Sequence, residues 1–341
     1  VTGLKKLDET NYSDRHNKLK EVSKNLQEFI KDQVYNKFKR RGVVVGISGG
    51  VDSAVTASLC VKALGAENVI GLIMPERESN SKSQPLAEKL AKQLGIRTEY
   101  VDLTPILYSH NMYQIKDSIV KKNFPAFDNS CKYRLVVPQD LMERDRINIS
   151  YLEVLDGEGQ VHKMRLSLSD YSTLWAATTM KHRTRMTTLY FHAERNNYLV
   201  VGTTNKAETV QGYYVKYGDG GVDLEPQANL YKTQVYQLAE HLGVPQEIIQ
   251  RKASPDTWSY EVSDEEFFYS LPYKTLDLLW FAKENEVAIE DVERALGLTR
   301  EQIGRAYKDQ ERKWKSSQHL RAMPPSWNAE SVVIGAPIPP M

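Results

Sequence analysis

The sequence predicts an α/β fold in which a parallel sheet is covered by helices on both faces. Apolar strand-like runs alternate with helix-like runs, in the order 43–47 (strand), 54–64 (helix), 69–74 (strand), 85–94 (helix), 98–103 (strand), about 176–196 (helix) and 198–202 (strand). An amphipathic helix precedes them, because apolar side chains recur every three or four residues from Leu19 to Phe38. Strands separated by helices are joined by right-handed crossovers and lie parallel. Ligands of such folds bind at the carboxyl ends of the strands.

Length and composition are those of a globular enzyme. The chain has 341 residues, 41% apolar and 26% charged, so it can bury a large core, and we expect a single domain over 1–341. Its 45 basic and 44 acidic residues give a net charge of +1, which argues against a nucleic-acid or membrane surface. The two cysteines have no metal-ligand spacing and favour a reducing, cytoplasmic location.

Residues from about 108 to 172 interrupt the alternation and are predicted to form an insertion. Inside it, polarity alternates along 147–154 and 161–168, on either side of Asp156-Gly157. This pattern indicates a β-hairpin. Two interpretations are equally open: the hairpin decorates the fold, or it contributes to the active site. The last residues, about 327–341, are rich in proline and are expected to form an extended tail.

A glycine-rich loop follows the first predicted strand. There the chain reads Gly46-Ile47-Ser48-Gly49-Gly50-Val51-Asp52-Ser53. Such a turn between a strand and a helix directs backbone N–H groups and the positive helix end at an anion, most often phosphate. The serines add hydroxyl donors, and Asp52 is placed to hold a Mg²⁺ ion that bridges phosphate oxygens. An ordinary capped turn is the alternative, which the complete pattern disfavours.

A second polar loop follows the strand at 198–202. The chain continues there as Gly202-Thr203-Thr204-Asn205-Lys206-Ala207-Glu208 and then as Gly212-Tyr213-Tyr214-Val215-Lys216-Tyr217-Gly218-Asp219-Gly220-Gly221-Val222-Asp223. Because both loops leave strands at their carboxyl ends, we expect them to face one pocket. Glu208 either joins Asp52 in holding a cation or is a solvated helix residue. Asp219 lies among glycines, a setting suited to a metal ligand or an ammonium acceptor and also common in simple turns.

The pattern S-G-G-x-D-S resembles the pyrophosphate loop of the N-type ATP pyrophosphatases. Enzymes of that superfamily split ATP between its α and β phosphates, adenylate an oxygen of the substrate, and let a nitrogen or sulfur nucleophile displace AMP. The Walker pattern G-x-x-x-x-G-K-[ST] is absent from this sequence. The resemblance implies AMP-forming chemistry with ATP as co-substrate and an adenine nucleotide alpha hydrolase-like fold.

Further motifs resemble the ammonia-dependent NAD synthetase family. The similar segments, each followed by the family pattern, are 181–186 (K-A-R-x-R-M), 202–208 (G-T-x-N-K-x-E), 216–223 (K-Y-G-D-G-G-x-D), 230–235 (L-x-K-x-Q-V), 254–258 (S-A-D-L-W) and 319–325 (H-K-R-x-x-P-P). The resemblance covers about residues 20–107 and 176–326. It implies amidation of nicotinic acid adenine dinucleotide to NAD by a homodimer, with ammonia that is free or supplied by a separate glutaminase.

Residue by residue, the resemblance implies an ATP site, an acceptor site and a magnesium site. The residues implied in ATP binding are Gly46, Ser48, Gly49, Gly50, Asp52, Ser53, Met74, Arg183, Thr203, Lys232 and Ser254. Those implied in acceptor binding are Arg185, Tyr213, Asp219, Asp223 and His319. Asp52 and Glu208 are the expected Mg²⁺ ligands, and the expected catalytic residues are Asp52, Asp219 and Lys232. Of these, Asp219 is expected to bind the incoming ammonia.

The sequence departs from the family pattern on the acceptor side. Phe267 stands where the family has an acidic residue in D-E-x-E-L-G, and Leu320 replaces the lysine of H-K-R. A paralogous AMP-forming amide ligase for a different carboxylate is therefore the alternative to NAD synthesis. A non-catalytic nucleotide-binding module is a third interpretation, but such a module would not need all four of the residues Asp52, Glu208, Lys232 and Asp219.

Overall fold

A four-stranded parallel sheet forms the centre of the protein, which the computed structural model describes from residue 12 to residue 326. A second, antiparallel sheet has three strands. In chain order the strands are β1 (Val43–Gly46), β2 (Val69–Ile73), β3 (Arg97–Tyr100), β4 (Lys132–Val136), β5 (Tyr151–Leu155), β6 (Val161–Arg165) and β7 (Leu199–Val201). The larger sheet has the order β3-β2-β1-β7, and the smaller sheet has the order β4-β5-β6.

Helices lie between most of the strands, and the elements that follow β7 in the described residues are all helical. In chain order they are α1 (Tyr12–Lys31), α2 (Val51–Leu64), α3 (Ser83–Leu94), α4 (Thr104–Ser109), α5 (Met112–Asn123), α6 (Leu168–Asn196), α7 (Lys206–Gln211), α8 (Lys232–Leu242), α9 (Gln246–Ile249), α10 (Tyr273–Glu284), α11 (Ile289–Leu296), α12 (Arg300–Ser316) and α13 (Gln318–Arg321). Short π-helical segments span Asp32–Lys37 and Glu265–Tyr269.

Helices cover both faces of the larger sheet because its central strand is apolar on both sides. Val43 and Val45 of β1 pack into a core shared with α1, α2, α3 and α8, whereas Val44 packs into a core shared with α4, α5 and α6. All three valines are fully buried. Burial of one such side chain stabilises the fold by about 1.5–3 kcal/mol. The predicted fold class is confirmed.

The observed elements differ from the predicted ones at their ends. α6 begins at Leu168, earlier than expected, because the Ser167 hydroxyl accepts a hydrogen bond from the Asp170 N–H (3.1 Å) and caps the helix. β3 ends at Tyr100, and as an edge strand it exposes most of its side chains. Edge strands are commonly short.

The smaller sheet contains the predicted hairpin. β5 and β6 pair with Tyr151 opposite Arg165, and the Asp156 N–H donates to the Gln160 carbonyl (3.0 Å) across the turn. The paired strands are shorter than the alternating segments of the sequence. β4, which the sequence does not predict, pairs with the other edge of β5. The buried face of this sheet packs against Trp258, so the hairpin supports the chain segment that carries that residue.

The domain boundaries stay predictions. The expected insertion, 108–172, contains the end of α4, all of α5, β4, β5 and β6, and the start of α6. The expected extended tail, about 327–341, lies outside the described residues. Within residues 12–326 no helix combines the length and the apolar character that crossing a bilayer requires.

Candidate active site

A cavity of about 460 Å³ opens at the carboxyl ends of the parallel strands. Its walls include Gly46 at the end of β1, Met74 after β2 and Thr203 after β7. The chain passes from β1 to β2 and β3 on one side and reaches β7 on the other, so the strand order changes direction beside β1. Ligands of open parallel sheets bind at such a position.

The glycine-rich loop forms one end of this cavity. Gly49 has φ +74°, and a side chain there would place its Cβ 2.4 Å from the Ser83 carbonyl oxygen. The Ser48 N–H donates to the Ser53 hydroxyl (3.2 Å), which in turn donates to the Gly50 carbonyl (3.0 Å). These two hydrogen bonds fix the conformation of the turn that leads into α2. No side chain caps that helix end, so its first amides can bind an anion.

Two acidic side chains from different loops meet beside the start of α2. The Asn205 side-chain amide donates to Asp52 Oδ1 (3.1 Å) and to Glu208 Oε1 (2.8 Å), and it thereby links the two carboxyl groups. Burial and the neighbouring carboxylate of Asp52 raise the pKa of Glu208 well above its usual range. A cation between the two groups would favour their ionised forms.

The acidic pair fits Mg²⁺. Within residues 12–326 no group of three or more His, Cys, Asp or Glu side chains is arranged to hold a metal ion. Magnesium does not need such a group, because it commonly binds one or two carboxylates and takes its other ligands from phosphates and water. Asp52 and Glu208 satisfy this requirement next to the predicted phosphate loop.

Lys232 completes the polar end of the cavity. It is the first residue of α8, its side chain is 1% exposed, and it forms an ion pair with Asp52. Desolvation opposes its protonation, but the carboxylates of Asp52 and Glu208 raise the pKa of Lys232, so the side chain is charged. Asp277 accepts a hydrogen bond from the Thr233 N–H (2.8 Å) and holds the start of α8 in place.

The loop that precedes the π-helical segment Glu265–Tyr269 packs against the glycine-rich loop. Asp256 accepts hydrogen bonds from the Asn80 N–H (2.7 Å) and the Ser83 hydroxyl (2.6 Å). Arg251 donates to Ser83 (2.9 Å) and to the Gly49 carbonyl (3.4 Å). Through these contacts the segment that contains Ser254, a predicted ATP ligand, lies against the phosphate loop.

A buried ionic network lies behind the cavity. Lys181 donates to Glu76 (2.8 Å), to Glu78 (2.6 Å) and to the Thr257 carbonyl (2.8 Å), and Lys116 forms an ion pair with Glu78. The Lys181 and Lys116 side chains are 0% exposed. The network joins the loop after β2 to α5, to α6 and to the loop that precedes Trp258. Sequence analysis did not identify it.

One face of α6 forms the wall of the cavity that carries Arg185, a predicted acceptor ligand, and we call this wall the acceptor side. The lining residues recur at helical spacing and are Trp175, Thr178, Thr179, His182, Arg185, Met186 and Leu189. Arg183, the predicted adenosine contact, lies off this face and donates to Thr179 Oγ1 (3.0 Å). The segment that the resemblance indicates does contribute to the cavity wall, and the helical period explains why His182 and Arg185, rather than Arg183, face the cavity.

Asp219 faces His182 across the acceptor side. His182 Nδ1 lies 3.3 Å from Asp219 Oδ1, and the Val215 N–H donates to the same carboxylate oxygen (2.9 Å). The Asp219 side chain is 42% exposed, and both residues line the cavity. Desolvation opposes ionisation, but the adjacent imidazole lowers the pKa of Asp219. Sequence analysis found Asp219 and missed its partner.

Most of the predicted site residues lie together. Those that line the cavity are Gly46, Ser48, Gly50, Asp52, Ser53, Met74, Arg185, Thr203, Glu208, Tyr213, Asp219, Lys232 and Ser254. The cavity walls formed by residues 12–326 do not include Gly49, Arg183, Asp223 or His319. Asp223 accepts hydrogen bonds from the Tyr190 hydroxyl (2.9 Å) and the Val200 N–H (2.8 Å), so it holds β7. His319 is exposed on α13.

Two residues near the acidic pair were not predicted as site residues but carry polar contacts. Asn205, which links the acidic pair, forms a capping box with Glu208, and the spacing of these residues in the sequence could have shown it. Asp264 accepts hydrogen bonds from the Tyr213 hydroxyl (3.0 Å) and the Tyr273 hydroxyl (2.7 Å). Burial raises the pKa of Asp264. No sequence signal distinguished it from its acidic neighbours.

The two departures from the family pattern are apolar contacts in the structure. Phe267 is 7% exposed, and its ring lies 5.8 Å from that of Trp175 and 6.0 Å from that of Trp258. Leu320 is partly buried beside Gly212. Phe267 therefore contributes an aromatic surface to the cavity wall where a charged group was expected.

The chain is similar to a family of known proteins and to solved structures. The model of a family described as NAD synthase matches residues 22–136 and 144–324, which include most of the segment 108–172. An NH(3)-dependent NAD(+) synthetase of Mesorhizobium japonicum is 42% identical over 295 residues, which are 86% of this chain and 92% of that protein.

Two solved structures share the fold. The NMN synthetase from Francisella tularensis has a TM-score of 0.64 at 23% identity and covers 91% of this chain and 98% of its own. The NH3-dependent NAD synthetase from Campylobacter jejuni has a TM-score of 0.57 at 23% identity and covers 91% of this chain and 99% of its own. With the family model matched over most of its length, the chain belongs to the NAD synthase family.

Proposed function

We propose that the protein is a carbon–nitrogen ligase that amidates nicotinic acid adenine dinucleotide with ammonia, at the expense of ATP, to give NAD, AMP and pyrophosphate. One observation carries the proposal: the glycine-rich loop, the Asp52–Glu208 pair and Asp219 line the same cavity. The Mesorhizobium relative, which is named for this activity, supports the choice of acceptor. The alternative, a ligase for a different carboxylate, is not favoured.

The first step is activation of the acceptor carboxylate. The amides at the start of α2, with the hydroxyls of Ser48 and Ser53, are positioned to bind the outer phosphates of ATP. A carboxylate oxygen then attacks the α phosphorus, the bond to the β phosphate oxygen breaks, and pyrophosphate leaves. Lys232 is charged and close enough to the loop to stabilise the departing pyrophosphate. A Mg²⁺ ion held by Asp52 and Glu208 would supply further neutralisation of that charge.

The second step is attack by ammonia on the acyl adenylate. The nitrogen forms a bond to the carbonyl carbon, the bond from that carbon to the AMP oxygen breaks, and AMP leaves. Most ammonia is ammonium at neutral pH, so an anionic group is useful for its capture. Asp219 is ionised, exposed to the cavity and placed on its acceptor side.

Three further parts of the proposal come from the sequence resemblance. The protein acts as a homodimer, its ammonia is free or comes from a separate glutaminase, and Mg²⁺ is its metal. A dimer would also give a role to the exposed His319, whose predicted contact with the acceptor the cavity walls formed by residues 12–326 of one chain do not provide.

The proposal is tested by product analysis. The protein is incubated with ATP, Mg²⁺ and ammonium, and with nicotinic acid adenine dinucleotide, nicotinic acid mononucleotide or simple carboxylic acids in parallel. We expect NAD, AMP and pyrophosphate in equal amounts with the dinucleotide. Release of ADP would contradict the mechanism, and turnover with another acid alone would contradict the acceptor.

A further inference from the structure

One polar pair on the acceptor side is not explained by the family pattern. The segment 181–186 is similar to K-A-R-x-R-M, and this chain has His182 where that pattern has alanine. The side chain lines the cavity and is 22% exposed. The side chain packs closely against the 212–223 loop. A Cβ added to Gly218 would lie only 2.8 Å from the His182 Cβ.

The contact with Asp219 orients this imidazole. Nδ1 lies 3.3 Å from the carboxylate oxygen, so the tautomer with hydrogen on Nδ1 is the one that the contact favours. The opposite nitrogen, Nε2, is not engaged by this contact and keeps its lone pair. A carboxylate that holds one imidazole nitrogen and leaves the other free to accept a proton is the arrangement of a general base with its orienting group.

We propose that His182 is a catalytic residue that accepts a proton from ammonium bound at Asp219, a role that rests on the proposed amide synthesis. Ammonium transfers one proton to Nε2, and the lone pair released on nitrogen attacks the carbonyl carbon of the acyl adenylate. The bond from that carbon to the AMP oxygen breaks, and AMP departs with the electron pair. The second proton lost by the nitrogen passes to solvent. No other co-reactant is needed.

The charged surroundings of the pair are compatible with this role. Arg185 lies one turn further along α6 and interacts with Glu76 from the loop after β2. Glu225 and Tyr214 interact with Asp219 from the loop side. These are the charged and titratable groups that surround the pair.

The test compares two nucleophiles in His182→Ala. The wild-type protein is first shown to form NAD with ammonium, so failure of the proposed function is seen separately. We expect the variant to lose about 100-fold or more in kcat/KM for ammonium. Hydroxylamine is largely unprotonated at neutral pH and needs no base to free its lone pair. The loss of kcat/KM with hydroxylamine should therefore be far smaller. Equal losses with both nucleophiles, or no loss, would overturn the proposal.

A second variant and a pH profile separate proton transfer from orientation. His182→Gln can still donate a hydrogen bond to Asp219 but cannot accept the proton of ammonium in the same way. We expect it to resemble His182→Ala, with activity in both variants increasing with pH as the fraction of free ammonia does. Wild-type activity recovered by His182→Gln, with an unchanged pH profile, would show that the histidine only positions Asp219. Thermal unfolding of both variants is measured as a control, to check that they are folded.

Discussion

Asp52 is fixed by two neighbours, the ammonium group of Lys232 and the side-chain amide of Asn205. Asparagine at this position keeps the shape of the side chain but removes the charge that a Mg²⁺ ion needs. We expect Asp52→Asn to abolish pyrophosphate release from ATP in the presence of the acceptor. The far-ultraviolet circular dichroism spectrum should stay unchanged, because the rest of the loop is held by other hydrogen bonds.

A matched control for this variant is Asp145→Asn. Asp145 is half exposed and pairs with Lys308 and Arg312 at the surface. Surface ion pairs contribute little to stability, and this one is not part of the cavity wall. The control should release pyrophosphate at the wild-type rate. Wild-type release by Asp52→Asn would contradict the metal role.

Gly49 allows the glycine-rich loop to approach the start of α3. In Gly49→Ala the alanine would have to keep φ +74°, and its Cβ would lie 2.4 Å from the Ser83 carbonyl oxygen. Gly95→Ala is the control, since Gly95 has φ +67° with nothing within 4 Å of the added Cβ. Left-handed strain costs each variant about 1 kcal/mol. Only Gly49→Ala should also raise KM for ATP, by about tenfold if loop displacement costs a further 1.4 kcal/mol. An equal effect of both variants on KM would show that the close approach is not needed.

At the level of single residues, sequence analysis identified segments better than side-chain directions. It predicted the loops of Asp52 and Asp219, because each combines several glycines with polar side chains in a longer pattern. It assigned Arg183 to the nucleotide, whereas the face of α6 that lines the cavity carries His182 and Arg185. The sequence indicates that a helix is present but not which way a polar residue near the edge of its buried face will point.

The ionic network behind the cavity couples several elements, and its removal should destabilise them together. Lys181 is 0% exposed and binds Glu76, Glu78 and the Thr257 carbonyl. We expect Lys181→Met to lower the free energy of unfolding by about 3–5 kcal/mol, because the buried Glu76 then loses its ammonium partner, whereas Glu78 keeps Lys116 and Arg77. Urea denaturation measures this change. Lys89→Met, which removes the exposed pair with Glu247, should hardly change it. A similar, small effect of both substitutions would contradict the role of the network.

The same network should make the protein sensitive to acid. Burial alone would raise the pKa of Glu78, but the ammonium groups of Lys116 and Lys181 lower it below its ordinary 4.5. A carboxyl group with a lowered pKa in the folded state stabilises the fold above its unfolded pKa, and this contribution is lost as the pH falls below 4.5. The urea midpoint should therefore fall between about pH 6 and pH 3, and Glu78→Gln should make this fall smaller. A fall of the same size in both proteins would exclude Glu78 as its source.

Among the elements, β1, β2 and β7 could be predicted because each is a short apolar run buried on both faces. The hairpin could be predicted from alternation around Asp156-Gly157. β4 could not, because its partner β5 follows it after a long connection, and its pairing depends on tertiary contacts. The network of Lys181 was missed for a similar reason, since its members come from four separate segments and become neighbours only when α5 and α6 pack together.

At the scale of the molecule, the cavity is formed where three cores meet. The larger sheet supplies the phosphate end, the smaller sheet supports the aromatic wall around Phe267, and α10, α11 and α12 pack beneath the segment of Tyr269. The acceptor end is thus built by the parts of the chain that differ most from the simple alternating pattern. This arrangement explains why the ATP end was easier to predict than the acceptor end.

The proposed homodimer can be tested on the exposed apolar side chains of α6. Leu168 is 81% exposed and Phe191 is 60% exposed, so both side chains are accessible to a second chain. We expect light scattering to give about twice the 39.0 kDa of one chain, and Phe191→Asp to shift the protein toward the monomer. Tyr100→Asp, at the end of the edge strand β3 and 57% exposed, should leave the dimer intact. Because the interface is expected to help form the acceptor pocket, Phe191→Asp should also raise KM for the dinucleotide more than KM for ATP. A monomeric wild-type protein with full activity would contradict both the dimer and this contribution to the pocket.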